Sequence, residues 1–128
     1  MIPFQPRAWD KQYKKIVLVN FIDFGTEEID FVGHLGEPKN WAHFELMYPT
    51  SLEDKNKKTI YAGDLVRHRI GEGHEWSGVH EVIFMHGAFM IRGGNPFGAR
   101  YGEAFNWYPM NVEVIGNIWE NPELLEKV

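Results

Sequence analysis

Four histidines, His68, His74, His80 and His86, recur at intervals of six residues, with Glu72, Glu75 and Glu81 among them. Imidazoles and carboxylates are what a zinc site uses, but such a site needs three or four of them converging within bond distance. His74 and His86 fall in turn-forming sequence, and His68 and His80 fall on separate strand-like runs, so the even spacing does not gather them. Neither His74-Glu75 nor His80-Glu81 has a second histidine four positions after the first, as the helical metalloprotease motif requires. The expectation is turn and surface histidines, with no metal and no cofactor. Adjacent carboxylates, Glu27-Glu28 and Glu53-Asp54, are the closest pairs that acid–base chemistry could use. Both pairs sit in turn-like sequence, where solvated acids are ordinary. The chain has no cysteine, no G-x-S-x-G and no phosphate loop ending in Gly-Lys-Ser/Thr, and Gly93-Gly94 with Gly98 is no dinucleotide fingerprint. No catalytic residue is expected, and an enzyme of unknown type ranks third among the readings.

Binding chemistry has two candidate places. Lys55, Lys57, Lys58, Arg67 and Arg69 lie on a polar run and the strand after it. If they share a face they would track a phosphate backbone, which is the nucleic-acid alternative, an SH3-like module of the KOW type. The overall charge of −5, from 13 basic and 18 acidic residues, opposes broad nucleic-acid binding, because phosphate neutralisation needs surplus cations. The second place is 92–108, which mixes glycines with aromatics and arginines. Tyr, Trp and Arg dominate binding hot spots. A connection this long in a compact domain is functional or disordered, and its aromatics argue against disorder. Phe97, Arg100 and Tyr101 are therefore the expected contacts to a protein partner or to a second copy of the chain.

The elements that must position these residues are short and β-rich. Residues 4–9 are extended but broken by Pro3 and Pro6, which reads as an edge strand or an arm. A turn at 10–12 leads into a strand over 15–24, a shorter one follows around Ile29 and Phe31, and 41–48 forms another. Residues 54–58, Asp-Lys-Asn-Lys-Lys, can bury almost nothing and form a turn. Strands are expected over 64–70 and 112–118, and 79–85 with 88–91 reads as a hairpin turning at His86-Gly87. Asn121 as a cap and Pro122 as the first helical residue predict a short terminal helix docked by Leu124 and Leu125. At 128 residues, with 44% hydrophobic side chains, the chain can build one domain or two small ones sharing a core. No run approaches a membrane span, and the start is not a signal peptide, so a soluble protein with no membrane partner is expected.

Four stretches together are similar to the YopX family: Arg7-Ala8-Trp9-Asp10-Lys11, Leu46-Met47-Tyr48, the run 54–66 (DKNKKTIYAGDLV), and 113–126 (EVIGNIWENPELLE). They sit in the family's order and cover the chain nearly end to end. Two positions depart from the family's pattern: Pro6 precedes Arg7 where the family has Phe, and Lys57 follows Asp-Lys-Asn where the family has Gly. The resemblance implies a small protein encoded by a phage or prophage, made in the host cytoplasm, with no established activity. It also implies a mainly β fold with an SH3-type barrel. Combined with the elements above, the expectation is an N-terminal small β subdomain over 1–53, then an SH3-type barrel with a C-terminal helix over 54–128.

Overall fold

The computed structural model describes residues 5–69, 71–85, 88–92 and 111–125. Among the described residues eleven strands, β1 to β11, follow one another, with 3-10 turns at Trp41–His43 and Pro122–Leu125. The mainly β character expected from the sequence is what the chain adopts. The chain divides into two compact units, residues 1–49 and 50–128.

The first unit is one five-stranded antiparallel sheet in the order β4-β3-β2-β1-β5, built from β1 Arg7–Asp10, β2 Lys15–Asp23, β3 Glu28–Phe31, β4 Lys39–Asn40 and β5 Phe44–Met47. Alternation in β2 sends Val17 and Val19 into the core, where they meet Ala8, Ile29, Phe31 and Phe44. The segment expected at an edge lies inside the sheet: Ala8 pairs with Val17 on one side and Leu46 on the other. Pro6 stops short of the strand, so the N–H groups of β1 remain available to both neighbours. Pro6 contributes only its carbonyl, which accepts from Val19 N at 3.0 Å. In place of a strand beginning at Trp41, a 3-10 turn is capped by Asn40, whose side chain accepts from Ala42 N.

The second unit holds a four-stranded antiparallel sheet, β10-β9-β8-β11, and a separate two-stranded ribbon, β6-β7. Its strands are β6 Pro49–Glu53, β7 Thr59–Tyr61, β8 Asp64–His68, β9 His80–Met85, β10 Ala88–Arg92 and β11 Val112–Asn117. The expected SH3-type barrel is not what these residues form. β10 and β11 stand at opposite edges of the larger sheet, and β6 pairs only with β7, so among the described residues no sheet closes on itself. Short strands with frequent turns suit an open sheet plus a ribbon as well as a barrel, and strand count alone does not separate them. One face of the sheet buries Val66, Val82, Ile91 and Val112 with Ile60 from the ribbon. The 80–92 hairpin has the expected pairing, Met85 opposite Ala88, and its turn at His86-Gly87 lies outside the described residues.

The end of the chain also departs from expectation. Pro122–Leu125 makes a single 3-10 turn, with Leu124 and Leu125 half-buried. Asn121 stands at its start, where its carbonyl accepts from Leu124 N at 3.1 Å, but its side chain turns back to the strand. Its Oδ1 accepts from Asn117 N at 3.2 Å, and its own N–H donates to Asn117 O. Gly116, at the bulge in β11, leaves room for that side chain: a Cβ there would fall 2.7 Å from Asn121 Cγ.

Candidate binding surface

Aspartates and asparagines, not catalytic constellations, organise the turns. Asp54 is 1% exposed. Its Oδ1 accepts from Asn56 N and Lys58 N, and its Oδ2 accepts from Val114 N at 2.9 Å, sixty residues away. Lys57 takes a positive φ of 62° inside this turn, the position where the family pattern has glycine. Asp54 is therefore no solvated acid, as its turn setting suggested, but a buried acceptor. Asp64 is equally buried and accepts from Tyr61 N. Asp23 accepts from Gly25 N and Thr26 N, and the backbone N–H of Thr26, then that of Gly25, lowers its carboxyl below the ordinary value. Carboxylates committed to backbone N–H groups in this way are poor candidates for proton transfer.

The basic residues converge in part. β8 and β11 place Arg67 directly opposite Glu113, and Arg67 Nε donates to Glu113 Oε1 at 2.6 Å. Lys55, in the Asp54 turn, reaches Glu113 Oε2 at 3.4 Å. Its backbone N–H donates to Val112 O, which fixes the turn beside β11. Arg69 Nε donates to Asn111 Oδ1 at 3.3 Å. All three cations meet one side chain that the sequence did not single out, Trp76. Arg69 Cζ lies 4.5 Å from the Trp76 ring centroid, Arg67 Cζ 4.6 Å, and Lys55 Nζ 5.5 Å. An indole face attracts cations through its quadrupole, typically by about 0.5–1 kcal/mol each at an exposed site. Lys57 and Lys58 are exposed in the adjoining turn and do not join the ring.

Trp76 is delivered by a clamp. Ser77 N donates to His68 O at 2.6 Å, and His68 N donates to Ser77 Oγ at 3.0 Å, so the loop after β8 folds back onto that strand. Gly73, with φ of 82°, makes the return. A serine after a tryptophan carries no pattern in sequence, and only the reciprocal bonds show its use. Burial works to raise the Glu113 carboxyl. The Arg67 guanidinium and then the Lys55 ammonium outweigh it and hold the group below its ordinary value. Glu113 is thus an anion that keeps Lys55 and Arg67 in place beside the indole.

The histidines divide differently from expectation. Val66 pairs with His80, so His68 lies diagonal to His80 on the core face, and the two rings approach to 5.4 Å. Spacing alone did not foretell this, because the register of β8 against β9 sets it. Burial lowers the basicity of both, with repulsion from His80 adding to the effect on His68. His74 lies in the loop and His86 outside the described residues. Among the described residues no three His, Cys, Asp or Glu side chains are grouped to hold a metal. Phe97, Arg100 and Tyr101 also lie outside the described residues.

The fold and these turns define a small, two-unit antiparallel β protein with a cationic, tryptophan-centred sheet face. The YopX protein family matches the chain over residues 5–126. The chain belongs to the YopX family. In fold it is similar to protein EF1440 from Enterococcus faecalis, with 23% identity, a TM-score of 0.63, and 94% of this chain and 96% of that one covered. It is also similar to protein yopX from Bacillus subtilis, with 21% identity, a TM-score of 0.64, and 97% of each chain covered. No curated protein matches.

Proposed function

We propose that the chain acts by binding, not by catalysis, and that its partner is a protein presenting acidic side chains to the Trp76 face. The observation that carries this reading is the convergence of Lys55, Arg67 and Arg69 on one indole, with Glu113 holding Lys55 and Arg67 beside it. Trp and Arg are the commonest hot-spot residues. Guanidinium groups already stacked and hydrogen-bonded lose less freedom on binding than free ones. They also offer carboxylates a paired-donor geometry that lysine lacks. Phe97, Arg100 and Tyr101, on the segment joining β10 to β11, are proposed as further anchors. The setting proposed is a phage- or prophage-encoded protein working inside the host cell. Among the described residues no helix is long and apolar enough to cross a membrane.

Nucleic acid is the second reading, favoured by Lys57 and Lys58 standing exposed beside Lys55. Cations over the indole leave less of its face for a base to stack on, so this mode would rest on phosphate contacts. The test is titration of the chain with an oligoglutamate peptide and with single-stranded DNA, at low and high salt. Binding of the peptide, weakened at least tenfold in a Lys55→Ala, Arg69→Ala variant, is expected, since losing two charge-assisted contacts costs about 1.4 kcal/mol or more. DNA binding with a steep salt dependence would favour the second reading. No binding to either, or an unaffected variant, would end both.

A further inference from the structure

The first unit carries an open cavity, a surface hollow of about 330 Å³, that the binding reading above does not use. Its walls come from three places in the chain: Tyr13 and Lys15 at the start of β2, Phe31 at the end of β3, and His34, Leu35 and Lys39 on the way into β4. That volume is at the small end of the range that takes organic ligands. Both lysines lie against its aromatic walls. Lys39 Nζ stands 4.5 Å from the Tyr13 ring centroid, and Lys15 Nζ stands 5.9 Å from Tyr13 and 5.8 Å from Phe31. Lys39 Nζ also donates to Gln12 Oε1 at 3.2 Å. No acidic side chain lines the cavity. Among the described residues neither ammonium has a carboxylate within ion-pair distance.

The remaining wall is fixed and largely apolar. His34 packs its ring 4.7 Å from Phe31, and its Nε2 lies 2.9 Å from Glu37 O. A carbonyl can only accept, so Nε2 carries the hydrogen and the ring is held in one orientation. Leu35 stands at the rim, 92% exposed. A large aliphatic side chain left in water beside an aromatic-walled cavity has apolar surface to gain from an occupant.

We propose that this cavity binds a small organic anion with a flat apolar body, an aromatic carboxylate or sulfonate. The acid group pairs with the Lys15 and Lys39 ammoniums, and the body lies among Tyr13, Phe31 and Leu35. The two halves of the site call for both properties in one ligand. A bare anion would leave the apolar wall uncovered, and a neutral arene would leave two ammoniums unpaired.

The test uses anilinonaphthalene sulfonate as the fluorescent probe, with benzoate, inorganic phosphate and benzyl alcohol as competitors. One probe per chain is expected, displaced by benzoate at concentrations at least tenfold below those needed for phosphate or benzyl alcohol. A Lys15→Gln, Lys39→Gln variant should bind the probe roughly tenfold or more weakly, as expected for losing charge-assisted contacts. Its far-ultraviolet circular dichroism should stay unchanged, since neither lysine belongs to the core. Trp76→Ala should leave the probe affinity intact, which separates this site from the sheet-face reading. Absence of probe binding, equal affinity in the lysine variant, or equal competition by phosphate or benzyl alcohol would each overturn the proposal.

Discussion

Each unit has a turn headed by a buried aspartate followed by lysine, Asp10-Lys11 in the first and Asp54-Lys55 in the second, and the two differ in how far they reach. Both carboxylates take backbone N–H groups of their own turn: Asp10 Oδ1 from Gln12 and Tyr13, Asp54 Oδ1 from Asn56 and Lys58. Both turns place a lysine at positive φ, Lys14 and Lys57. Both following lysines pair with a glutamate on a neighbouring strand, Lys11 with Glu45 and Lys55 with Glu113. Beyond that the likeness ends. Asp54 Oδ2 accepts from Val114 N, whereas Asp10 Oδ2, equally buried, has no hydrogen-bond partner among the described residues. Lys11–Glu45 is a solvent-exposed pair, while Lys55–Glu113 is joined by Arg67 and Trp76. The same local chemistry closes a hairpin in one unit. In the other it ties a hairpin to a distant strand and assembles a surface.

The largest expected effect follows from that tie. Asp54→Ala strands three backbone N–H groups, one of them on β11, and should cost about 3 kcal/mol or more, since hydrogen bonds to charged groups contribute about 1.5–3 kcal/mol each. Asp10→Ala loses only local bonds and removes a carboxylate oxygen that has no partner, so its cost should be roughly half as large. Urea unfolding midpoints of the two variants measure the difference. An Asp10 variant as damaged as the Asp54 variant would break the distinction between the turns.

Acid should separate the units next. His68 and His80 have folded-state basicities below the ordinary value near 6.5, so the unfolded chain binds more protons as pH falls. Their contribution is fully present above about pH 6.5 and is lost as pH drops towards and through the lowered folded values. Stability of the wild type should fall between about pH 7 and pH 5. A His68→Leu, His80→Leu variant should show a flatter profile over that range. Parallel profiles would show that the histidine pair does not govern acid sensitivity.

The ion pairs give the smallest effects and sharpen the contrast. Glu113→Gln leaves Arg67 and Lys55 facing each other and should cost about 1 kcal/mol or more. Glu45→Gln removes an exposed pair and should cost below about 0.5 kcal/mol. Equal costs would mean that the Trp76 cluster adds nothing to an ordinary surface pair.

How far the sequence foretold this follows the same line between local and distant. The 80–92 hairpin, β2, β11 and the Asp54 turn are legible because turn residues and alternation act over a few positions. The interior place of β1, the ribbon β6-β7 and the approach of His68 to His80 depend on registers between strands far apart in the chain. The open sheet in place of a barrel depends on them too. Lys55, Arg67 and Arg69 were recognisable by type. Their meeting point was not, because Trp76 reaches them through a serine clamp that no sequence pattern announces.

The central claim is that the Trp76 face is a binding surface for acidic groups. Titration of isotope-labelled chain with an oligoglutamate peptide, followed by amide and indole N–H resonances, tests it most directly. The account predicts saturable shifts concentrated at Lys55, Arg67, Arg69, Glu113 and the Trp76 indole, diminishing as salt is raised. Shifts absent at low salt, or confined to the first unit around Tyr13 and Lys39, would contradict it.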